Sequence, residues 1–275
     1  MDVPRATGQG VGQECGVMIP IKSPTEIDRM RAACAAAAEI LAAVAQGVEP
    51  GRTTAELDNI AAEMIAKFGG KSPFLGYRGY PGNLCVSVNE EVVHGIPSQR
   101  RVQYGDIVSL DVGIVLDGFV GDNATTVAVG AVEPRTQQLL QVTEQALRAG
   151  IGAARAGNRV GDISHAVQTT VESQGFSVVR EFVGHGVGRK MHEEPQIPNY
   201  GRAGEGPKLK AGMTLAIEPM INAGTSEVVM LSDGWTVVSA DGAPSAHFEH
   251  TVLVTEGDAE ILTWRKKSPY ESKAR

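Results

Sequence analysis

Apolar and alanine positions recur at helical spacing from Pro24 to about residue 46, behind Ser23 as N-cap and Glu26 as its capping-box partner. Pro50-Gly51 then breaks the chain, and a second helix, capped by Thr53 or Thr54, runs to about Phe68 before Gly69-Gly70 stops it. A second pair with the same punctuation follows. One helix opens at Glu133-Pro134 and ends near Ala156-Gly157, and another runs from about Gly161 to Gln174. Around and after these pairs, residues 84–88, 107–116, 119–129, 177–183, 213–221, 235–239 and 248–254 are rich in Val, Ile and Thr and bounded by Gly, Asp or Pro, which predicts strands. The elements together predict an α+β fold, with helices packed on a mostly antiparallel sheet.

The segment that begins at Gly51 can be laid over the one that begins at Gly157, 106 positions later (157 − 51). Gly51/Gly157, Glu56/Asp162, Leu57/Ile163 and Gly69/Gly175 fall in step. Either these are two unrelated amphipathic helices, or the chain holds two similar αβ halves with a site at their seam. Its length of 275 residues suits one large domain or two fused halves. We expect an extension over residues 1–20, a single catalytic domain over 21–265 and a tail over 266–275. The net charge of −7 argues against a surface that coats DNA or RNA. No apolar run reaches the length of a membrane span, and the longest, residues 32–45, is broken by Glu39. The first twenty residues lack the basic start and apolar stretch of a secretory signal, and the three cysteines have no paired spacing. A reduced, cytoplasmic setting is the expectation.

Candidate chemistry gathers in the strand-like part. Asp117-Gly118 is a two-residue hairpin turn signal, and with that loop Asp111 faces Ala124 while Gly113 faces Asp122. Asp111 and Asp122 then lie on one face as diagonal neighbours, about 7–8 Å apart. With Leu110, Val112, Val120 and Ala124 around them, the two carboxylates need a cation or a shared proton. His185 and His192 sit in a loop punctuated by Gly184, Gly186 and Gly188, where the backbone can approach whatever His185 touches. Glu218 and Glu249 each interrupt an aliphatic strand, a costly place for a carboxylate without a partner. Four carboxylates and one imidazole suit a pair of Mn, Fe, Co or Zn ions. His250 faces away from Glu249 on a strand, His165 reads as a surface or core residue, and His247 reads as a rim residue.

The strings GYRGYPGNLCVSVNEEVVHGIP, LDVG, GFVGDNATT, GHGVGRKMHEEP, GMTLAIEPM, DGWTVVSAD and HFEHTV, in this order, resemble the methionine aminopeptidases across nearly the whole chain. The resemblance implies the pita-bread fold, two pseudo-symmetric halves around a central sheet. It implies that Asp111, Asp122, His185, Glu218 and Glu249 ligate two divalent ions, with Asp122 and Glu249 shared between them. It further implies that Glu218 shuttles protons, and that His94 and His192 contact the substrate without binding metal. Phe74, Tyr77, Tyr80, Cys85, Met191 and Trp235 match residues lining the methionine pocket, although Phe74 stands where many relatives carry Cys and Met191 where Phe is common. Asn89 and Ser245 match positions that bind a monovalent cation, Na or K, in some relatives.

The implied activity is removal of the initiator methionine from nascent polypeptides with a small second residue. Transient ribosome association and a monomeric state go with it. About 25 residues separate His192 from Glu218, too few for the insertion that marks type II enzymes, so the resemblance is to type I. The rivals are a proline-directed aminopeptidase or prolidase, and a non-catalytic binding protein of the same fold. Residues 1–22 leave little room for the extra domain of the first, and the full set of candidate ligands argues against the second.

Overall fold

The structure, a computed structural model, describes residues 18–264. Most of the expected extension, Cys15 and the 266–275 tail lie outside the described residues. Four helices form where the apolar spacing places them: α1 (Pro24–Gly47), α2 (Thr54–Lys67), α3 (Pro134–Ala153) and α4 (Val160–Glu172). Ser23 with Glu26 and Thr53 with Glu56 close capping boxes, so Thr53 rather than Thr54 caps α2. The buried face of α1 carries Ala33, Ala36 and Ala37 between Met30, Ile40 and Leu41, and the short side chains let the helix lie against the hairpin strands Ile107–Leu116 and Phe119–Ala128.

The main sheet has eight strands and is antiparallel throughout. Its path runs Cys85–Val88, Ile107–Leu116, Phe119–Ala128, Glu249–Leu253, Thr214–Ile217, Gly184–Gly186 and Glu193–Ile197, with Glu260–Ile261 added beside Glu249–Leu253. Two three-stranded sheets flank it. One joins Val228–Met230, Val237–Ser239 and Glu91–Val93; the other joins Ser245–His247, Met220–Asn222 and Ser177–Val178. The hairpin turns at Asp117 (φ 48°) and Gly118 (φ 77°), the left-handed pair that a tight two-residue turn requires. Its register pairs Leu116 with Phe119, Gly113 with Asp122 and Asp111 with Ala124, as the turn signal implies.

The two helix pairs repeat in detail. Gly51 and Gly157 share φ near +90° (91° and 95°), and Gly69 and Gly175 share 70° and 71°. Gly51 N–H donates to Val102 O (2.7 Å) and Gly157 N–H to Leu209 O (3.1 Å). Thr54 N–H and Val160 N–H, which open α2 and α4, donate to Arg100 O and Pro207 O. Equivalent backbone bonds at equivalent helix entries favour two related halves over two unrelated helices. Each half has its own apolar core, one around Ile40, Leu57 and Leu110 and the other around Ile163, Leu215 and Val252.

Several strand expectations need correction. Residues 213–221 do not form one strand; the ladder stops at Ile217 and resumes in another sheet at Met220, because Pro219 has no N–H to donate. Glu218 therefore sits at a break rather than inside a strand. Residues 248–254 shorten to Glu249–Leu253, and only Ser177–Val178 of 177–183 pairs. The segments holding His185 and following His192, read as loop, contain the strands Gly184–Gly186 and Glu193–Ile197. Glu91–Val93, Val228–Met230 and Glu260–Ile261 carried no distinct strand signal.

Candidate active site

One rung of the main sheet runs Cys85–Asp111–Ala124–Glu249 across four strands, with each pair in direct register. Side chains along a rung share a face, so the sheet brings Asp111 and Glu249 to the same side with Ala124 between them. Asp122 lies on that face two positions before Ala124. His185 pairs with Ala216 on the neighbouring strand, and Glu218 emerges just past the end of Thr214–Ile217. Two approaches close the group: His185 Nε2 lies 3.3 Å from Glu218 Oε1 and 3.7 Å from Asp122 Oδ2.

Asp122, His185 and Glu249 are buried, and each offers a ligand atom within 4.8 Å of the others. The expected closeness of the glycine backbone is present: a Cβ on Gly184 would meet Ala216 O at 2.5 Å, and one on Gly186 would meet Glu194 O at 2.2 Å. His185 Nδ1 lies 2.9 Å from Gly186 O. With the proton on Nδ1 and donated there, the Nε2 lone pair faces the carboxylates.

Asp111 Oδ1, Asp122 Oδ1 and Glu249 Oε1 are buried without a hydrogen-bond partner. Burial pushes the Asp111 carboxyl up to about 7. Burial, and then the charges of the other carboxylates, push Asp122, Glu218 and Glu249 well above the usual carboxylate range. Burial first, and His192 second, bring His185 down to about 3, so its imidazole is neutral. Orphaned acceptor oxygens from several acids around one neutral imidazole are what divalent cations would satisfy, and the oxygen-rich donor set suits Mn, Fe, Co or Zn.

These residues help line a cavity of about 570 Å³, within the usual range for a small-molecule site. The apolar part of the lining adjoins them: Phe74, Tyr80 and Cys85, the last in register with Asp111, pack together with Ile96, Met191 and Trp235. The Tyr80 hydroxyl is satisfied by Gly95 O (2.9 Å) and Leu84 O (3.1 Å), so its ring is fixed edge-on to Trp235 at 5.1 Å. Burial, then the charge of Asp111, raise the Cys85 thiol well above its ordinary pKa. The pocket thus presents a neutral sulfur and aromatic edges.

His94, at φ 60°, lies edge-on to Trp235 and Phe182, and burial brings it down to about 4. His192 stands on the more open side, with Nδ1 3.5 Å from the Tyr77 hydroxyl and its ring 4.5 Å from that of His185. Thirteen of the fifteen residues singled out from the sequence line this cavity; Asn89 and Ser245 do not. Those two adjoin elsewhere, where Ser245 N–H donates to Asn89 O at 2.9 Å.

His247 was misread. It is buried rather than at a rim, it lines the cavity, and its Nε2 lies 3.7 Å from Glu218 Oε2 with no hydrogen-bond partner. Its parity with Glu249 was the available signal. The break at Phe248 hides it, because Ser245–His247 pairs into a different sheet. His250 bonds Thr263 Oγ1 at 2.8 Å, away from the cavity, and His165 is exposed, both in line with the sequence reading.

Comparison with known proteins agrees with this geometry. The methionine aminopeptidase 1 of Bacillus subtilis is 51% identical over 246 residues, which is 90% of this chain and 99% of that protein. The methionine aminopeptidase of Clostridium perfringens has the same identity and coverage. The crystal structure of the Thermotoga maritima methionine aminopeptidase is similar with a TM-score of 0.89 at 51% identity, covering 90% of this chain and all of that one. The prolidase of Pyrococcus furiosus reaches a TM-score of 0.72 at 22% identity, covering 90% of this chain and 66% of its own, a likeness of fold alone. The fold these neighbours share is the pita-bread fold. Residues 28–256 match the description of metallopeptidase family M24, and the chain belongs to that family.

Proposed function

We propose that this cavity releases the N-terminal methionine from polypeptides, as a type I methionine aminopeptidase. The observation that carries the reading is that one cavity brings together five metal-type ligands, three of them with orphaned oxygens, and an apolar, thiol-bearing pocket. Asp111, Asp122, His185, Glu218 and Glu249 would hold two divalent cations. When bound, the cations supply Lewis acidity and bring the pKa of water towards neutral.

The chain's own groups do the rest. The methionine side chain fills the pocket of Phe74, Tyr80, Cys85, Met191 and Trp235, with Tyr77 at its edge, and the free α-amine docks at the Asp111 end. Glu218 takes a proton from the attacking water and passes it to the leaving amine. His192, with Nδ1 turned to the Tyr77 hydroxyl, keeps Nε2–H to stabilise the tetrahedral oxyanion, and His94 bonds to the scissile amide. Asn89 and Ser245 would hold a monovalent cation, Na or K. The substrates are N termini of nascent polypeptides with a small second residue, met in the cytoplasm by a monomer that touches the ribosome transiently. Among the described residues, no helix is long and apolar enough to cross a membrane.

The test uses metal-stripped protein, with Mn, Co, Fe or Zn added back singly, against Met-Ala, Met-Leu, Leu-Ala and Ala-Pro peptides. Metal-dependent release of methionine from Met-Ala, well ahead of the others, is the expected result. Cleavage of Ala-Pro alone would replace the reading with a proline-directed enzyme.

A further inference from the structure

The stretch from Val187 to Glu193 links the strand bearing His185 to the strand Glu193–Ile197 and carries Met191 and His192 to the cavity. Two ion pairs tie it to the segment entering α1. Arg189 Nη2 lies 3.1 Å from Glu26 Oε1, with the arginine side chain 59% exposed, and such a pair contributes little. The other pair differs in kind. Lys22 Nζ lies 2.6 Å from Glu193 Oε2, and the two side chains are only 5% and 8% exposed.

A lysine would ordinarily reach into water, and a buried pair is weak evidence of stability for its own sake. The backbone is shaped around this one. A Cβ on Gly188 would come within 2.6 Å of Lys22 Cε and 2.8 Å of both Glu193 carboxylate oxygens. Glu193 Oε1 also accepts from Lys190 N–H at 3.2 Å, which closes the turn ahead of Met191. At the other end, Lys22 N–H donates to Gly212 O at 2.8 Å, just before the strand Thr214–Ile217 that pairs with His185 and leads to Glu218. One end of the bridge is thus fixed to the strand that leads to Glu218, and the other is bonded to the residue after His192.

The geometry points to Lys22 as a positioning residue. Through its buried bridge to Glu193 it holds His192 at a fixed place relative to the cluster of His185 and Glu218. This rests on the reading of His192 as the oxyanion donor. It predicts a loss in kcat rather than in KM, because a displaced donor weakens stabilisation of the transition state more than binding of the substrate.

Steady-state kinetics on a Met-Ala peptide with Mn-loaded protein, thermal melts and bound Mn per chain form the test. The variants are Lys22→Met, Lys22→Met with Glu193→Met, Arg189→Ala and His192→Ala. Lys22→Met is expected to lower kcat roughly a hundredfold with KM changed less than about threefold. The double variant removes both buried charges, so its Tm returns to that of the parent while kcat stays low. Bound Mn is unchanged in both, and Arg189→Ala keeps the parent kcat. If Lys22→Met fails to fold, the double variant carries the comparison. Parent-like kcat in either Lys22 variant, or a loss of bound Mn that accounts for the slowing, overturns the inference. Slow His192→Ala beside a parent-like Lys22→Met removes the positioning role alone, whereas parent-like His192→Ala removes the reading of His192 and the inference with it.

Discussion

Four buried or half-buried carboxylates converge here around a neutral imidazole, so the metal-free site works against the fold. Glu249→Gln should therefore stabilise the metal-free protein, by about 1–2 kcal/mol, while removing one candidate metal ligand. Melts in EDTA and metal counts per chain check this; a lower metal-free Tm would mean that protein donors already satisfy Glu249. Asp111 gives a pH dependence. Its folded pKa of about 7 lies above the unfolded value, so its contribution to metal-free stability is present at low pH and lost as pH rises through about 7. A cation binds the ionised form, so below pH 7 binding must expel a proton, and affinity should fall by about tenfold per unit for each proton displaced. Calorimetric titration of Mn at pH 6 and pH 8, in buffers of different ionisation enthalpy, measures that release. Uptake of metal at pH 6 without released protons would contradict it. The raised thiol of Cys85 should resist alkylation in the native protein until the fold is opened by denaturant.

At the scale of elements, the hairpin does the most positioning for the fewest residues. The turn Asp117-Gly118 sets the register that puts Asp111 and Asp122 on one face, and Gly118 sits at φ 77°. Gly118→Ala should cost about 1–2 kcal/mol, because an L side chain is strained there. In a chain of this size that lowers Tm by about 2–8 °C. A larger loss, with activity gone, would show register slip rather than local strain. This hairpin was legible in the sequence because a two-residue turn leaves one register, and the capping boxes at Ser23 and Thr53 were legible because capping is local chemistry. The strand Gly184–Gly186 was not, since glycine carries no strand preference and its pairing is imposed by Ala216 and Leu215 across the sheet. His247 escaped for a related reason. Its parity with Glu249 pointed inward, but the handover between two sheets at Phe248 is a tertiary event that no local pattern records.

At the scale of the molecule, a duplicated helix-pair motif frames a sheet whose central strands come from both halves, and the candidate ligands follow that division. Asp111 and Asp122 belong to the hairpin before the second helix pair, while His185, Glu218 and Glu249 come after it. Cations at this seam would tie the halves together, so metal should stabilise the whole fold. Free metal at a hundred times its Kd adds about 2.7 kcal/mol, a Tm rise of about 5–10 °C over the EDTA-treated protein. The five candidate ligands stood out by residue type and neighbours, while the spaced glycines left duplication as one of two readings. The closeness of the two halves required the structure. The most direct test of the account is an anomalous difference map from crystals grown with Mn and free methionine. It should show two metal peaks flanking Asp122 and Glu249, with the methionine sulfur among Tyr80, Cys85 and Trp235. Metal bound elsewhere, or a methionine side chain outside that pocket, would contradict it.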